Sequence, residues 1–399
     1  MSTTGRVNSE QELETILHEM AAEPREACIA REQSTFDQLA GGARPIVLFG
    51  TGALGKSVLA GLRRLGVEPR ALADNNPKLW GKEVEGLRVF SAAEAAHRFG
   101  QDCFFVVTIY NGSKIRRQLR DLGCQHVAPF ATLFWKYADE FIPGGGIDLP
   151  HNLPPLADEL RAVCGMLADE HSRREMCAQL RWRYWLDDSG MPAPLAGCDI
   201  YFPRELITPI DGEVFVDCGA FDGDTLRSFI EHAGGRFEHI FPLEPDPGNR
   251  NVLEQSTMAL GAAISSRITA LPFGVGDRDG TVQFSADGSA GSHVTSGEGI
   301  RVECRKLDNI AWTHLPTYIK MDVEGAEPNA LRGASGLLRK HMPVLAICLY
   351  HRSEHLWQIP RFIHETAPGY ELFIRRYAED CWELVCYAVP KHRLAAARR

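Results

Sequence analysis

The sequence predicts an α/β protein with two separate sheets, and two stretches carry that expectation. Gly50-Thr51-Gly52-Ala53-Leu54-Gly55 and Asp217-Cys218-Gly219-Ala220-Phe221-Asp222-Gly223 are glycine-rich turns, each after a short apolar run and before a helix-forming stretch. An acid closes the next apolar run in both cases: Asp74 lies nineteen residues past Gly55, and Glu244 twenty-one past Gly223. Glycines let a ligand lie against bare backbone, and an acid at the neighbouring strand tip accepts hydrogen bonds from ribose hydroxyls. The expected organisation is a helical arm (1–43), a smaller Rossmann-like α/β domain (44–146), a helical linker (147–200) and a larger α/β domain (201–399).

Composition narrows the function classes. The 399 residues carry a net charge of −9, which argues against nucleic acid as the main partner because phosphate binding needs a basic face. Eleven scattered cysteines, none in a C-x-x-C pair, fit a reducing cytoplasm and small buried thiols. No apolar run is long enough to insert into a membrane, and the first residues lack the basic and apolar regions of a signal peptide. A cytoplasmic protein is expected.

Taken in order, residues 8–40 read as helix. A Ser9/Glu12 capping box starts it, Leu13, Ile16, Leu17 and Met20 follow at helical spacing, and Pro24 divides it. This arm suits packing or homo-oligomerisation. Strand Ile46–Phe49 then leads into Gly50–Ser57, which satisfies both G-x-G-x-x-G and G-x-x-x-x-G-K-S. Asp74 favours the dinucleotide-type fold over a phosphate loop, because the next strand, Phe104–Thr108, does not end in a magnesium-binding acid. No hydride-transfer residue stands out, so bound NAD is not expected. The module resembles small Rossmann-like domains of sugar-modifying enzymes, which implies a nucleotide, a nucleotide-sugar or an empty shape. Helical spacing resumes over residues 154–187, where Trp182, Tyr184 and Trp185 read as packing residues in preference to a sugar platform.

The second glycine turn is not a dinucleotide loop. Asp222 and Asp224 would repel a pyrophosphate, whereas a ligand with a positive sulfur and an amino-acid end suits acidic surroundings, which points to S-adenosylmethionine. Asp224 and Thr225 stand where they cap the following helix. Seven strands are expected in the larger domain: 214–217, 239–243, 268–273, 318–321, 344–349, 370–375 and 383–389, with a small hairpin (281–284 with 300–305) between the third and fourth. The short turn between the last two makes them antiparallel.

Further motifs lie downstream: Glu244-Pro245-Asp246-Pro247, Gly274-Val275-Gly276-Asp277, Ile319-Lys320-Met321-Asp322-Val323-Glu324-Gly325-Ala326-Glu327 and Leu349-Tyr350-His351. In this order, over about residues 201–390, they resemble the FkbM family of S-adenosylmethionine-dependent methyltransferases. The resemblance implies a class I methyltransferase sheet with an antiparallel terminal hairpin. It also implies O-methylation of a small-molecule acceptor, such as a polyketide, a glycan or a sugar nucleotide. The cofactor residues expected on this basis are Asp217, Gly219, Ala220, Gly223, Asp224, Thr225, Glu244, Asp246, Gly276, Asp277 and Asp322.

For the chemistry, Asp322, Glu324 and His351 stand at adjacent strand ends, and His293 lies in a glycine- and serine-rich loop, 285–299, suited to a lid. His351 is read as the general base with Asp322 fixing its tautomer. The same three groups are the ligand set if Mg²⁺ or Mn²⁺ is bound, the less favoured reading of the two. Arg375 and Arg376 are read as a solvated strand end or, alternatively, as contacts to an anionic acceptor. The competing function is an NAD-dependent oxidoreductase or nucleotide-sugar-binding protein run by Gly50–Gly55.

Overall fold

A computed structural model describes residues 8–195, 200–285, 293–294 and 299–395. The chain forms two compact units, one made of residues 1–158, 177–194 and 378–382, the other of 159–176, 195–377 and 383–399. The expected α/β class is observed.

In the first unit, strands β1 (Ile46–Phe49), β2 (Ala71–Ala73), β3 (Glu83–Val84), β4 (Leu87–Phe90), β5 (Phe104–Val107) and β6 (Val127–Pro129) form one sheet in the order β3-β4-β2-β1-β5-β6. All pairs are parallel except β3 with β4. The arm forms helices Ser9–Ala22 and Arg25–Ala40, divided at Pro24 as expected. Its start differs from expectation: the cap is Asn8, whose side chain accepts from Gln11 N at 2.8 Å, and Ser9 is buried inside the helix. Leu13, Ile16, Leu17 and Met20 are buried within this chain, and so are Trp182 and Tyr184, which act as packing residues.

The first glycine turn is closed on itself. A Cβ on Gly55 would lie 1.9 Å from Gly50 O, so the glycines serve the close approach of helix and turn. Asp74 Oδ2 accepts from Thr51 N at 3.0 Å and Thr51 Oγ1 at 2.7 Å, and its Oδ1 accepts from Asn76 N at 2.8 Å. A ribose there would compete with bonds the turn already makes.

In the second unit, β7 (Glu213–Cys218), β8 (Phe237–Leu243), β9 (Gly274–Val275), β10 (Gly280–Ser285), β11 (His293–Val294), β12 (Ile300–Arg305), β13 (Tyr318–Met321), β14 (Val344–Cys348), β15 (Tyr370–Arg376) and β16 (Leu384–Pro390) form two sheets. The larger has the order β15-β16-β14-β13-β7-β8, with β16 antiparallel to both neighbours and the other pairs parallel. Its order reverses between β7 and β13, the place where sheets of this kind bind ligands at their carboxyl ends.

Six strands form this sheet where seven are expected. The stretch 268–273 makes only isolated bridges, Ile268 to Ile240 and Leu271 to Leu243. The cause lies in β8. Thr269 N donates to Ile240 O and Leu271 N to Pro242 O, but Pro242 has no N–H for the bond between them. The expected hairpin of residues 281–284 with 300–305 is present as β10 and β12, extended by β9 and β11 into a sheet of order β11-β10-β12-β9.

Arg375 and Arg376 are neither solvated nor free for an acceptor. Arg375 pairs with Asp169 at 2.7 Å, and Arg376 with Glu175 at 2.8 Å; both arginines are buried. Burial pushes the Asp169 carboxyl up, but the Arg375 ion pair and the Ser172 hydrogen bonds outweigh it and hold the group below its ordinary 3.8. Asp169→Ala removes the nearer of two carboxylates from the Arg375 guanidinium, Glu205 remaining at 3.8 Å, and should cost up to about 3–5 kcal/mol at neutral pH. A carboxyl with a depressed folded pKa gives stability above its unfolded pKa and loses it as pH falls. The deficit, read by urea unfolding, should therefore shrink below pH 4, and a pH-independent deficit would show that the ion pair is not its source.

Candidate active site

The glycine turn after β7 is shaped by close backbone approach. Gly219 adopts φ +81°, and a Cβ there would lie 1.9 Å from Asp322 O, so the ends of β7 and β13 touch where the sheet order reverses. Gly223, at φ +86°, precedes helix Asp224–Ala233, and Asp224 Oδ1 accepts from Thr225 N at 2.6 Å. Phe221 holds φ +47°, which a bulky residue adopts only when its surroundings impose it. One imposing bond runs from Phe221 N to Glu244 Oε2 at 2.9 Å.

Glu244, at the end of β8, is 5% exposed and accepts from Asp246 N through Oε1 at 2.8 Å. Burial raises its carboxyl to about 7 against those two backbone donors. A pocket of about 200 Å³ opens beside it, lined by Gly219, Phe221, Asp224, Thr225, Glu244 and Asp322 among others. Val282, Phe284, Val302 and Cys304 of the smaller sheet form an apolar wall that the sequence reading did not foresee.

Other expected cofactor residues lie elsewhere. Asp217 is fully buried beneath the turn, opposite Lys320 in register, with Lys320 Nζ 3.0 Å from its Oδ1. Lys320 Nζ also donates to Gly219 O at 2.7 Å. Burial pushes the Asp217 carboxyl up to about 6 although Lys320 opposes it. Asp246 caps helix Pro247–Ala259 by accepting from Gly248 N at 2.7 Å. Gly276 packs closely, since a Cβ there would lie 2.7 Å from Cys304 Sγ, and Asp277 faces Arg332 at 3.9 Å. Ala220 N bonds Leu243 O, and Ala220 is buried in the core.

Asp322, Glu324 and His351 are brought together across the ends of β13 and β14. His351 Nε2 lies 3.2 Å from Asp322 Oδ1 and 3.8 Å from Glu324 Oε2. Its Nδ1 is 2.7 Å from Glu327 Oε1. A carboxylate only accepts, so that contact places a proton on Nδ1. Glu327 is fully buried, also accepts from Val323 N at 2.9 Å, and faces His355 Nδ1 at 3.4 Å. Burial works against charge on His351, but Glu327 and Asp322 reverse it and raise its pKa well above the ordinary 6.5. A ring flanked by carboxylates in this way holds a proton or a cation more firmly than a free imidazole does, which counts against His351 as a free proton acceptor.

Two further residues complete this corner. Tyr201 OH donates to Asp322 Oδ2 at 2.9 Å, and Tyr350 OH to Oδ1 at 3.4 Å. Burial pushes the Asp322 carboxyl up, but His351, Lys320 and Tyr201 together hold it far below the carboxylate range. Tyr201 carried no sequence signal, since nothing local ties residue 201 to residue 322, and Tyr350 entered only as part of the Leu349-Tyr350-His351 motif. The backbone of His293 pairs with Ser285 in β11, and its side chain lies outside the described residues.

The family described as the methyltransferase FkbM domain matches residues 217–380. A crystal structure of methyltransferase FkbM from Methylobacillus flagellatus KT is similar in fold, with TM-score 0.71 and 24% identity over 96% of this chain and 99% of its own. A putative rRNA-methylase from Clostridium thermocellum aligns at TM-score 0.32 and 8% identity, over 47% of this chain and 91% of its own. A precorrin-6y C5,15-methyltransferase from Geobacter metallireducens GS-15 aligns at 0.30 and 14%, over 51% and 96%. No curated protein matches the chain in sequence. No described helix is long and apolar enough to cross a membrane. Residues 217–380, the stretch that matches the methyltransferase FkbM domain, hold the glycine turn, Glu244, Asp322 and His351.

Proposed function

We propose that the chain transfers the methyl group of S-adenosylmethionine to a hydroxyl of a small-molecule acceptor, with a sugar-bearing or polyketide-type compound as the acceptor class. Glu244 carries the reading. It is a buried carboxylate at the end of the strand next to the glycine turn, fixed by two backbone N–H groups and facing the pocket. Each oxygen keeps acceptor capacity for a ribose hydroxyl. The Gly219 backbone leaves room for the amino-acid end of the cofactor, and Asp322, Glu324 and His351 converge where the acceptor would meet the methyl group. Methyl transfer is an in-line displacement at carbon, so alignment and activation of the hydroxyl are what a protein supplies.

Calorimetry with S-adenosylhomocysteine tests the reading. Glu244→Ala should weaken binding roughly ten- to a hundred-fold, the value of about 1.5–3 kcal/mol for hydrogen bonds to a charged acceptor. The Glu244 carboxyl lies near 7, so affinity should fall as pH drops from 8 to 6 and its charge is lost. Unchanged affinity in a folded variant would remove Glu244 from the site. Binding of NAD or a UDP-sugar without S-adenosylhomocysteine would favour the Gly50–Gly55 loop as the working site instead.

A further inference from the structure

We propose that Asp322, Glu324 and His351 bind one divalent cation of the Mg²⁺ and Mn²⁺ type, which holds the acceptor hydroxyl. The site is argued from geometry, and only its role rests on the methyl-transfer reading. One ligand atom from each residue falls within 4.8 Å of the other two. Neighbouring ligands of an octahedral ion, each about 2.1 Å from it, stand about 3 Å apart. The 3.2 and 3.8 Å separations of His351 Nε2 from Asp322 and Glu324 are somewhat longer than that spacing, so a bound ion would draw the groups together.

Three independent acids near a histidine would not suffice; the orientation of His351 is what points to a ligand. Its side chain is only 8% exposed, and its Nε2 has no aligned hydrogen-bond partner. Glu327 fixes the ring from behind by accepting from Nδ1, which turns Nε2 toward Asp322 and Glu324. A ring nitrogen facing two carboxylate oxygens calls for something positive between them, a proton or a metal ion. A carboxylate behind a metal-bound imidazole is the usual outer-shell partner and raises the ligand's basicity. Tyr201 and Tyr350 play the same part toward Asp322. Turn geometry adds to this: Glu324 is held at φ +52°, strain that a site can use to aim a carboxylate.

Three protein ligands leave coordination positions open. A hydroxyl in one of them would have its pKa lowered by the ion, the activation a sulfonium displacement needs.

The test is Mn²⁺ titrated into metal-free full-length protein, followed by loss of the free-ion paramagnetic resonance signal. One saturable site per chain is expected. Its affinity should fall at least tenfold in Glu324→Gln, an exposed position where folding is retained, and in Asp322→Asn. No saturable site, or unchanged affinity in both variants, overturns the proposal. S-adenosylhomocysteine calorimetry in EDTA separates the two readings. Cofactor binding without an Mn²⁺ site removes the cation alone, and an Mn²⁺ site without cofactor binding removes the methyl donor alone.

Discussion

Lys320→Met should destabilise the protein by about 3–5 kcal/mol, the cost of breaking one side of a buried ion pair. The lysine side chain is 2% exposed and Asp217 is fully buried, so the variant leaves a carboxylate in the middle of the sheet with no counter-charge. The loss is larger than the attraction of the pair itself, because desolvation of Asp217 remains after its partner is gone. Lys320→Met with Asp217→Leu should recover most of the deficit, as apolar replacement of a buried pair is often neutral. Urea unfolding of the three variants gives the coupling between the two positions. A deficit below about 1 kcal/mol in the single variant, or none recovered in the double, would mean that the pair is not what Asp217 needs. Removing Lys320 also takes the donor from Gly219 O, so affinity for S-adenosylhomocysteine should fall with stability.

That pair shows where sequence reasoning stops. A lysine between Ile319 and Met321, in a strand buried on both faces, demands an acid. Which acid is a matter of register between β7 and β13, about a hundred residues apart, and nothing local encodes it. The glycine turn, Glu244 and the helix after Gly223 were legible because strand, turn and helix are contiguous. Asp246 carries a local signal for its capping role: an Asp followed by Pro at the first helical position is a cap pattern. Pro242 likewise announced a broken ladder, yet the strand 268–273 was expected to pair in full. Arg375 and Arg376 give no hint in sequence of Asp169 and Glu175, some two hundred residues earlier. Asp322, Glu324 and His351 were found as a set because all three follow strands whose carboxyl ends share one rim. Glu327 stands in the sequence only as the last residue of the Ile319–Glu327 motif, and only the fold reveals the imidazole it holds.

His351→Ala should reduce turnover by roughly 10²–10⁴-fold, the range for loss of a group that activates the nucleophile, with little change in affinity for S-adenosylhomocysteine. The sequence favoured His351 as a free base; the structure places it between Glu327 and Asp322, which keeps a proton or a cation on the ring. Both schemes predict the loss, so the discriminating measurement is a graded one. Glu327→Gln preserves shape. The Gln oxygen can replace Oε1 toward His351 Nδ1 and Val323 N, and its amide can face His355, whose low pKa of about 4 keeps it neutral and able to accept. Only the charge behind the imidazole is lost. If His351 is a ligand, Glu327→Gln should lower both Mn²⁺ affinity and turnover about 10- to 100-fold, the usual cost of removing an outer-shell carboxylate, and excess Mn²⁺ should restore turnover. EDTA should then abolish activity in the unaltered protein. If His351 is a free base, EDTA leaves turnover intact, added Mn²⁺ rescues nothing, and Glu327→Gln shifts the acid limb of the pH–rate profile downward by weakening the hold on the ring proton. Rescue by Mn²⁺ is the result that a purely structural role for Glu327 would not produce.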